Sequence, residues 1–321
     1  MSEEPVTFQS GANRLSGMLH RPDGAPSDVA VLFVHSGARG RLGSTFQYPV
    51  AARALAKKGI ASMRWDPSGM GDSEGRIDDT KMLDFFGSIQ AGCFVADTLA
   101  AIEELDRQVA PKKLVLWGLC GGGITALLAA PRAKRKIDGL VLLSTPVLLD
   151  SAQQSPLETI SAEHAASHLW TLYAKKLLSL EAYKRLFRME SDIETIKTYA
   201  TAFVKGTAKK IARKVKNRIA PPPPDAPARP LHPRQNPHYL EALSAMVQKD
   251  AKLLMLYGET DSLRYDFWNE VYEPLVQKDE AYGKRVEVHL VEGCNHLFTL
   301  REWQAAALRH FDAWLPKVAT P

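Results

Sequence analysis

Cysteine is scarce in this 321-residue sequence, which contains only Cys93, Cys120 and Cys294. Three scattered cysteines are too few for a disulfide framework or a zinc site. The sequence also lacks a Gly-rich phosphate loop and an HExxH motif. These absences predict a chain with reduced cysteines, no disulfide, no bound metal and no nucleotide cofactor.

Long apolar runs are missing as well. No stretch approaches the roughly 18 to 20 apolar residues that a membrane-spanning helix requires. The first residues, "MSEEPVTF", are acidic and polar, whereas a secretory signal begins with basic residues followed by an apolar run. We therefore expect a cytoplasmic protein.

Acidic residues are absent from the stretch 205–218, "KGTAKKIARKVKNR". Its seven basic residues exceed the net charge of the chain, +5, so the remainder sums to 5 − 7 = −2. A basic excess confined to one stretch argues against nucleic-acid binding by the whole protein. Apolar residues at helical spacing predict a solvated amphipathic helix here. The alternatives are a helix that binds an acidic acyl carrier protein, a coenzyme A thioester or an anionic membrane surface.

Apolar runs alternate with amphipathic stretches along most of the chain. Two short strands are predicted at the start, near Val6–Gln9 and Leu15–His20. Six apolar runs of parallel-strand character follow, at 29–35, 60–66, 114–118, 139–145, 252–258 and 286–293. Strands that are apolar on both faces need helices on both sides. The pattern predicts an α/β fold, a mostly parallel eight-stranded sheet with helices on both faces.

The alternation is interrupted between the sixth and seventh predicted strands. Residues 149–237 have helical patterns followed by the proline-rich "APPPPDAPARPLHPRQNP", which favours an extended linker. We predict a core made of residues 1–148 and 238–321. The insertion 149–237 is predicted to be a helical lid over the carboxyl edge of the sheet.

The sequence "GLCGGG", residues 118–123, lies between a predicted strand and a predicted helix. This context matches a G-x-nucleophile-x-G turn, in which the central residue projects above the sheet from a strained backbone. Cys120 is then a candidate nucleophile. The alternative is a buried structural cysteine, since free cysteine is among the most buried residue types. A dinucleotide-binding fingerprint is excluded because the spacing is not G-x-G-x-x-G.

A nucleophile of this kind needs a base and an orienting acid on the same edge of the sheet. His296 follows the last predicted strand in "EGCNHLF", and Asp261 follows the preceding strand in "LYGETDSL". The chain order nucleophile, acid, base is the order that this architecture imposes. We therefore predict a triad of Cys120, His296 and Asp261.

Other histidines and acids fit the triad less well. His35 precedes the nucleophile and is expected to shape its own loop, and His289 is expected to pack inside a strand. Asp66 is expected to be a structural loop residue, and Asp150 is a weaker candidate acid. The remaining histidines lie in lid, linker or helix segments or at a strand end, where surface histidines are common: His20, His164, His168, His232, His238 and His310.

The backbone supplies the predicted oxyanion donors. Gly121 opens the helix after the nucleophile, so its N–H faces a developing oxyanion with the helix dipole in support. Ser36 and Gly37, in the loop after the third strand, are expected to offer further N–H groups. The alternative for that loop is a plain glycine-rich turn.

The chain resembles the α/β-hydrolases over nearly all of its length. The elbow and the segments "DPSGMGDSEG", "GETD" and "GCNHLF" are similar to segments of the serine aminopeptidase and monoacylglycerol lipase branch. The cysteine, the basic helical insertion and the "NHLF" ending look most like the hydrolases associated with the exosortase A system. The resemblance implies the α/β-hydrolase fold and a hydrolase activity, with cysteine in the place where the superfamily usually has serine.

The cysteine affects the expected reaction. A thiol at a helix N-terminus beside a histidine ionises readily, and its acyl-enzyme is a thioester. We expect a hydrolase that cleaves an ester or thioester through a covalent acyl-cysteine. An acyltransferase is the alternative, since a thioester can pass its acyl group to another acceptor and residues 118–123 satisfy the G-x-C-x-G-G box of polyester synthases. A catalytically inactive small-molecule-binding protein on the same fold is the alternative from another class.

Overall fold

The computed structural model describes residues 1–35, 37–77, 82–149 and 232–319. Met1–Ala152 and His232–Pro321 form one compact unit. The predicted lid helices and the basic stretch 205–218 lie outside the described residues, as do Ser36 and Asp150.

All eight predicted strands are present in one sheet, with the order β1-β2-β4-β3-β5-β6-β7-β8. The strands are β1 Ser2–Ser10, β2 Asn13–Arg21, β3 Val29–Val34, β4 Ala61–Trp65, β5 Lys113–Leu119, β6 Gly139–Leu143, β7 Lys252–Gly258 and β8 Val286–Val291. The β1–β2 and β2–β4 pairs are antiparallel, and all the other pairs are parallel. The sequence-based prediction of a mostly parallel eight-stranded sheet is confirmed.

Helices follow the strands as the alternating pattern predicts. Those in the described residues are α1 Gln47–Ala56, α2 Met82–Ala91, α3 Val95–Val109, α4 Gly121–Ala129, α5 Pro237–Gln248, α6 Leu263–Phe267, α7 Glu280–Arg285, α8 Arg301–Trp314 and α9 Pro316–Ala319. A π-helix, Trp268–Val276, directly continues α6. No single described helix is long and apolar enough to cross a membrane; Asp84–Ala91 and Val95–Val109 pass that test only as a pair bent by 54°.

The core has two halves, one on each face of the sheet. In β5, Leu114 and Leu116 pack on the side covered by α2 to α5, whereas Val115 and Trp117 pack on the side covered by α1, α8 and α9. Successive side chains of a strand point to opposite faces. Burial on both faces explains why the parallel strands are continuous apolar runs in the sequence.

Two histidines differ from the sequence-based expectation. His20, expected at the surface, is fully buried and accepts a hydrogen bond from Arg64 Nε at 3.0 Å. His289, expected to be packed inside a strand, is partly exposed, lies 2.7 Å from Glu287 and stacks on His310. The positions of the strands explain both errors, because β2 lies between β1 and β4 whereas β8 is an edge strand.

Candidate active site

Cys120 occupies a strained turn between β5 and α4. Its backbone angles are φ 53° and ψ −117°, a conformation that a non-glycine residue adopts only when the surrounding structure imposes it. The Cys120 N–H donates to the carbonyl of Leu143 at 2.8 Å, and the Cys120 carbonyl accepts from Gly123 N at 2.9 Å. The side chain is partly exposed. The turn therefore has the geometry of a nucleophile elbow.

Glycines at the elbow are required by close backbone approach. A Cβ on Gly118 would lie 2.3 Å from the carbonyl of Gly122, and a Cβ on Gly122 would lie 1.7 Å from the carbonyl oxygen of His35. No side chain fits at either position. Gly118 and Gly122 are therefore needed because the backbones of β5, α4 and the loop after β3 come very close to one another here.

Tyr48 supports the elbow from the α1 side, and sequence reasoning missed it. Its buried phenol oxygen accepts a hydrogen bond from Leu119 N at 3.1 Å, immediately before Cys120. The ring packs against Phe33, with a centroid distance of 5.1 Å. In the sequence, Tyr48 is only an aromatic residue on the apolar face of a helix. No neighbouring residue indicates that its hydroxyl group accepts a hydrogen bond from a distant strand.

Asp261 and His296 meet at the carboxyl edge of the sheet, in the loops after β7 and β8. His296 Nδ1 lies 3.1 Å from Asp261 Oδ2, and Leu263 N donates to Asp261 Oδ1 at 3.0 Å. Burial raises the pKa of Asp261, but the hydrogen bond and charge of His296 outweigh this, so the pKa lies below its ordinary value. The carboxylate is therefore ionised and oriented at neutral pH.

His296 connects the acid to the candidate nucleophile. Burial lowers the pKa of His296, but the charge of Cys120 and the hydrogen bonds with Asp261 and Cys120 outweigh burial and hold the pKa well above its ordinary value. Because Nδ1 faces Asp261, Nε2 is the ring nitrogen left for Cys120. The imidazole therefore lies between the Asp261 carboxylate and Cys120, and both neighbours favour its protonated form.

The loop that carries His296 is shaped by its neighbour Asn295. Asn295 Oδ1 accepts from Leu297 N at 3.1 Å and from Thr299 N at 3.4 Å, and Nδ2 donates to the Thr299 hydroxyl at 2.9 Å. A side chain that closes a turn on its own backbone fixes the loop locally. Asn295 was also missed, although asparagine before a short polar loop is a recognisable turn signal.

The predicted oxyanion loop approaches the elbow closely. A Cβ on Gly121 would lie 2.7 Å from Gly37 Cα, so the two backbones are in contact. His35 is buried, and burial lowers its pKa to about 4. Its neutral ring lies with Nδ1 3.0 Å from the carbonyl of Gly37, which can only accept, so Nδ1 carries the proton. His35 thus shapes this loop, as expected from the sequence.

Asp66 anchors the other end of the same loop. It is buried, accepts from Arg41 N at 2.6 Å and forms an ion pair with the Arg41 guanidinium. Arg41 also pairs with Asp72. This network links the loop after β3 to the loop after β4, in keeping with the structural role expected for Asp66.

The three cysteines differ in environment. Cys294 is buried, and burial together with the nearby Asp261 charge raises its pKa to about 12. Cys93 is exposed. Of the three, Cys120 is the one that interacts with a histidine that is itself paired with a carboxylate. In the described part of the chain, no group of three or more His, Cys, Asp or Glu side chains is arranged to hold a metal ion.

Comparisons with known proteins agree with this architecture. The family model described as "Serine aminopeptidase, S33" matches residues 25–215, more than half of the chain. No curated relative matches the sequence significantly.

Solved structures similar to this chain share its fold. The α/β hydrolase GrgF from Penicillium sp. sh18 is 17% identical, with a TM-score of 0.55 and full coverage of both chains. Proline iminopeptidase from Mycobacterium smegmatis is 17% identical, with a TM-score of 0.51 and coverage of 98% of this chain and 100% of its own. An esterase from Pyrococcus furiosus is 15% identical, with a TM-score of 0.52 and coverage of 98% and 91%. The chain has the α/β-hydrolase fold and belongs to the serine aminopeptidase family.

Proposed function

We propose that this hydrolase cleaves an acyl ester or thioester through a covalent acyl-cysteine intermediate on Cys120. The observation that carries the proposal is the Asp261–His296 pair that interacts with Cys120 at a strained elbow. A nucleophile, a base and an orienting acid in this order are the groups that acyl transfer requires. The family name refers to serine, so cysteine as the attacking residue is the specific claim of the proposal.

In the first half of the reaction, the Cys120 sulfur attacks the substrate carbonyl carbon. A C–S bond forms, and the carbonyl oxygen becomes an oxyanion near the backbone N–H groups proposed as donors, those of Gly121, Gly37 and Ser36. The bond to the leaving group then breaks, and His296 gives its proton to the departing alcohol or thiol. Asp261 stabilises the imidazolium while the proton is held.

Water completes the second half. His296, now neutral, takes a proton from water as the oxygen attacks the acyl-cysteine carbonyl. The C–S bond breaks, the carboxylic acid leaves, and the sulfur is restored beside the imidazolium. Because the acyl-cysteine is itself a thioester, an alcohol, amine or thiol can replace water without any other change. Acyl transfer is therefore the second candidate function, supported by the cysteine.

The proposal extends to the subfamily of the hydrolase and to the class of its acyl donor. The cysteine elbow and the "NHLF" ending favour a hydrolase of the kind associated with the exosortase A system. The basic stretch 205–218 favours an anionic acyl donor, such as a carrier-protein or coenzyme A thioester.

The test is detection of the intermediate by intact-protein mass spectrometry. The protein is incubated with a panel of acyl esters and acyl thioesters, and a mass increase equal to the acyl group is expected on Cys120. Cys294→Ala is the matched control because it removes a cysteine of the same chain and should leave the adduct unchanged. An adduct that persists in Cys120→Ala, or that never forms on any donor, contradicts the proposal.

Product analysis then separates the alternatives. Free acid alone supports hydrolysis, whereas acylated acceptor in the presence of an added alcohol, amine or thiol supports transfer. A protein that binds acyl compounds without forming an adduct or product would be the inactive binding protein.

A further inference from the structure

A second cavity lies at the opposite end of the sheet from Cys120, and we call it the amino-end pocket. It has a volume of about 430 Å³ and is lined by Lys113, Lys136, Lys252, Arg285 and Lys317, with Asp138, Asp250 and Val318 completing the wall. Five basic and two acidic side chains leave 5 − 2 = 3 positive charges in excess.

The pocket is built on the first residues of several strands. Lys113 is the first residue of β5, Lys252 is the first residue of β7, and Arg285 directly precedes β8. Strands in the middle of a paired sheet are the most rigidly held parts of a domain. Lys113 and Lys252, on the central strands β5 and β7, are therefore presented from a fixed base.

The acidic residues of the wall do not neutralise the pocket. Asp138 is buried and is shared between Leu114 N and the Lys113 ammonium, which lies 3.3 Å away. Asp250 pairs with Arg285. Lys317 pairs with Glu287, which does not line the pocket. Within the described residues, Lys136 and Lys252 form no ion pair, so the excess charge resides on these two side chains.

Burial and the positive charges of the pocket lower the pKa of Lys252. Burial lowers its pKa, the positive charges of Arg285 and Lys317 lower it further, and Asp250 opposes them only in part. An ammonium group gathered with other cations in a cavity is stabilised by any anion that enters.

We propose that the amino-end pocket is a binding site for a small phosphate-bearing anion, with Lys252 and Lys136 as its principal ligands. Two unpaired positive charges in a cavity of this size fit a ligand that concentrates two or three negative charges in a few atoms, as a phosphate ester or pyrophosphate does. Lysine ammonium groups bind phosphate oxygens as point charges from several directions. The site is independent of Cys120 and of the reaction proposed there.

The experiment is isothermal titration of the full-length protein with pyrophosphate and with inorganic phosphate, at an ionic strength held constant with sodium chloride. We expect saturable binding of pyrophosphate at one site. Lys252→Met should raise the Kd about tenfold or more, since losing one charge-assisted hydrogen bond has an effect of that size. Lys136→Gln, at an exposed position of the same pocket, should weaken binding in the same direction and is available should Lys252→Met fold poorly.

Lys112→Met is the matched control. Lys112 directly precedes the pocket residue Lys113 but is exposed, pairs with Asp28 and does not line the cavity. It should change the Kd by less than about twofold, as expected for an exposed charge. Equal weakening by Lys112→Met and the pocket variants would show general attraction of anions to a basic surface and would overturn the site.

A footprint locates the bound anion. Trace acetylation with acetic anhydride, followed by peptide mass spectrometry, should show Lys252 and Lys136 protected by pyrophosphate and Lys112 unprotected. Absence of saturable binding, or protection that is equal at all three lysines, overturns the proposal. Citrate binding as tight as pyrophosphate binding would overturn the assignment to phosphate chemistry.

Discussion

The two ends of the same strands have opposite electrostatic designs. β5, β7 and β8 end at the loops that carry Cys120, Asp261 and His296, and they begin beside the positive side chains of the amino-end pocket. At the carboxyl end, the Asp261 carboxylate lies 3.1 Å from His296, which in turn interacts with Cys120. At the amino end, cations outnumber carboxylates and two lysines lack an ion-pair partner in the described residues.

Under the two proposals made above, one scaffold serves two kinds of chemistry. Charges that must exchange a proton during a reaction are held in contact and compensate one another. Charges without a partner in the protein are compensated only by solvent or by a ligand. Substitutions at the two ends of the strands should therefore have different effects, and the predictions below compare them.

The largest expected effect is loss of the sulfur at the carboxyl end. Cys120→Ala should lower kcat by at least about 10³-fold, because removing the nucleophile abolishes the covalent route. Circular dichroism and thermal unfolding should stay close to wild type, since a methyl group fits the same elbow. Cys120→Ser should retain more esterase activity than Cys120→Ala, as a hydroxyl also suits the turn. Near-native turnover by Cys120→Ala would falsify the mechanism.

The next largest effects are expected for the base, His296, and then for the acid, Asp261. His296→Ala should reduce kcat/KM by about 10²- to 10³-fold, because the proton then lacks its carrier. Asp261→Asn should be milder, by about tenfold, since the acid orients and stabilises the imidazolium and a thiol needs less help to ionise than a hydroxyl. Alkylation of Cys120 by iodoacetamide at neutral pH should slow in the same order. If both substitutions leave these rates unchanged, the triad assignment is wrong.

Backbone packing should also distinguish the two ends. Gly122→Ala places a Cβ 1.7 Å from a backbone carbonyl and should lower the free energy of unfolding by about 3 kcal/mol or more. Gly139→Ala, at the start of β6, meets the Trp314 ring at 2.6 Å. A side chain yields more readily than backbone, so we expect a loss of about 1 to 2 kcal/mol there. Urea unfolding of the two variants tests this order, and a larger loss at Gly139 would contradict it.

The last prediction concerns the pH dependence of stability. Burial lowers the pKa of His35 from 6.5 to about 4, so the unfolded chain binds more protons than the folded one between these values. The stabilisation is fully present above pH 6.5 and is lost as the pH falls towards 4, by at most about 3 kcal/mol. His35→Asn keeps a donor for Gly37 and cannot titrate, so its unfolding free energy should vary less with pH across this window. An unchanged slope would show that other groups cause the acid sensitivity.

The parts of the molecule that were predictable are those encoded locally. The parallel strands are continuous apolar runs, and the elbow glycines lie next to one another in the sequence. Cys120, Asp261 and His296 could be proposed because parallel strands place their following loops at one edge. The contact between Asp261 and His296 agrees with that reasoning.

The features that were missed depend on distant parts of the chain. Tyr48 bonds to Leu119, 71 residues away, and neither residue marks that contact in the sequence. The burial of His20 and the partial exposure of His289 follow from which strand lies inside the sheet and which at its edge. The amino-end pocket likewise gathers lysines that are spread from residue 113 to residue 317. The lid prediction lies outside the described residues and stays a prediction.

The pairing of β6 with β7 also has a consequence for folding. Gly139 pairs with Lys252, which makes this the parallel pair that closes the longest stretch of chain in the sheet. Closing a loop of that length costs about 4 kcal/mol of chain entropy before any contact forms, and such non-local pairs form slowly. Cys120 precedes both of these strands in the sequence, whereas Asp261 and His296 follow them. During synthesis, the Cys120 thiol is therefore made first, and it lacks the neighbouring His296 until β6 and β7 have paired.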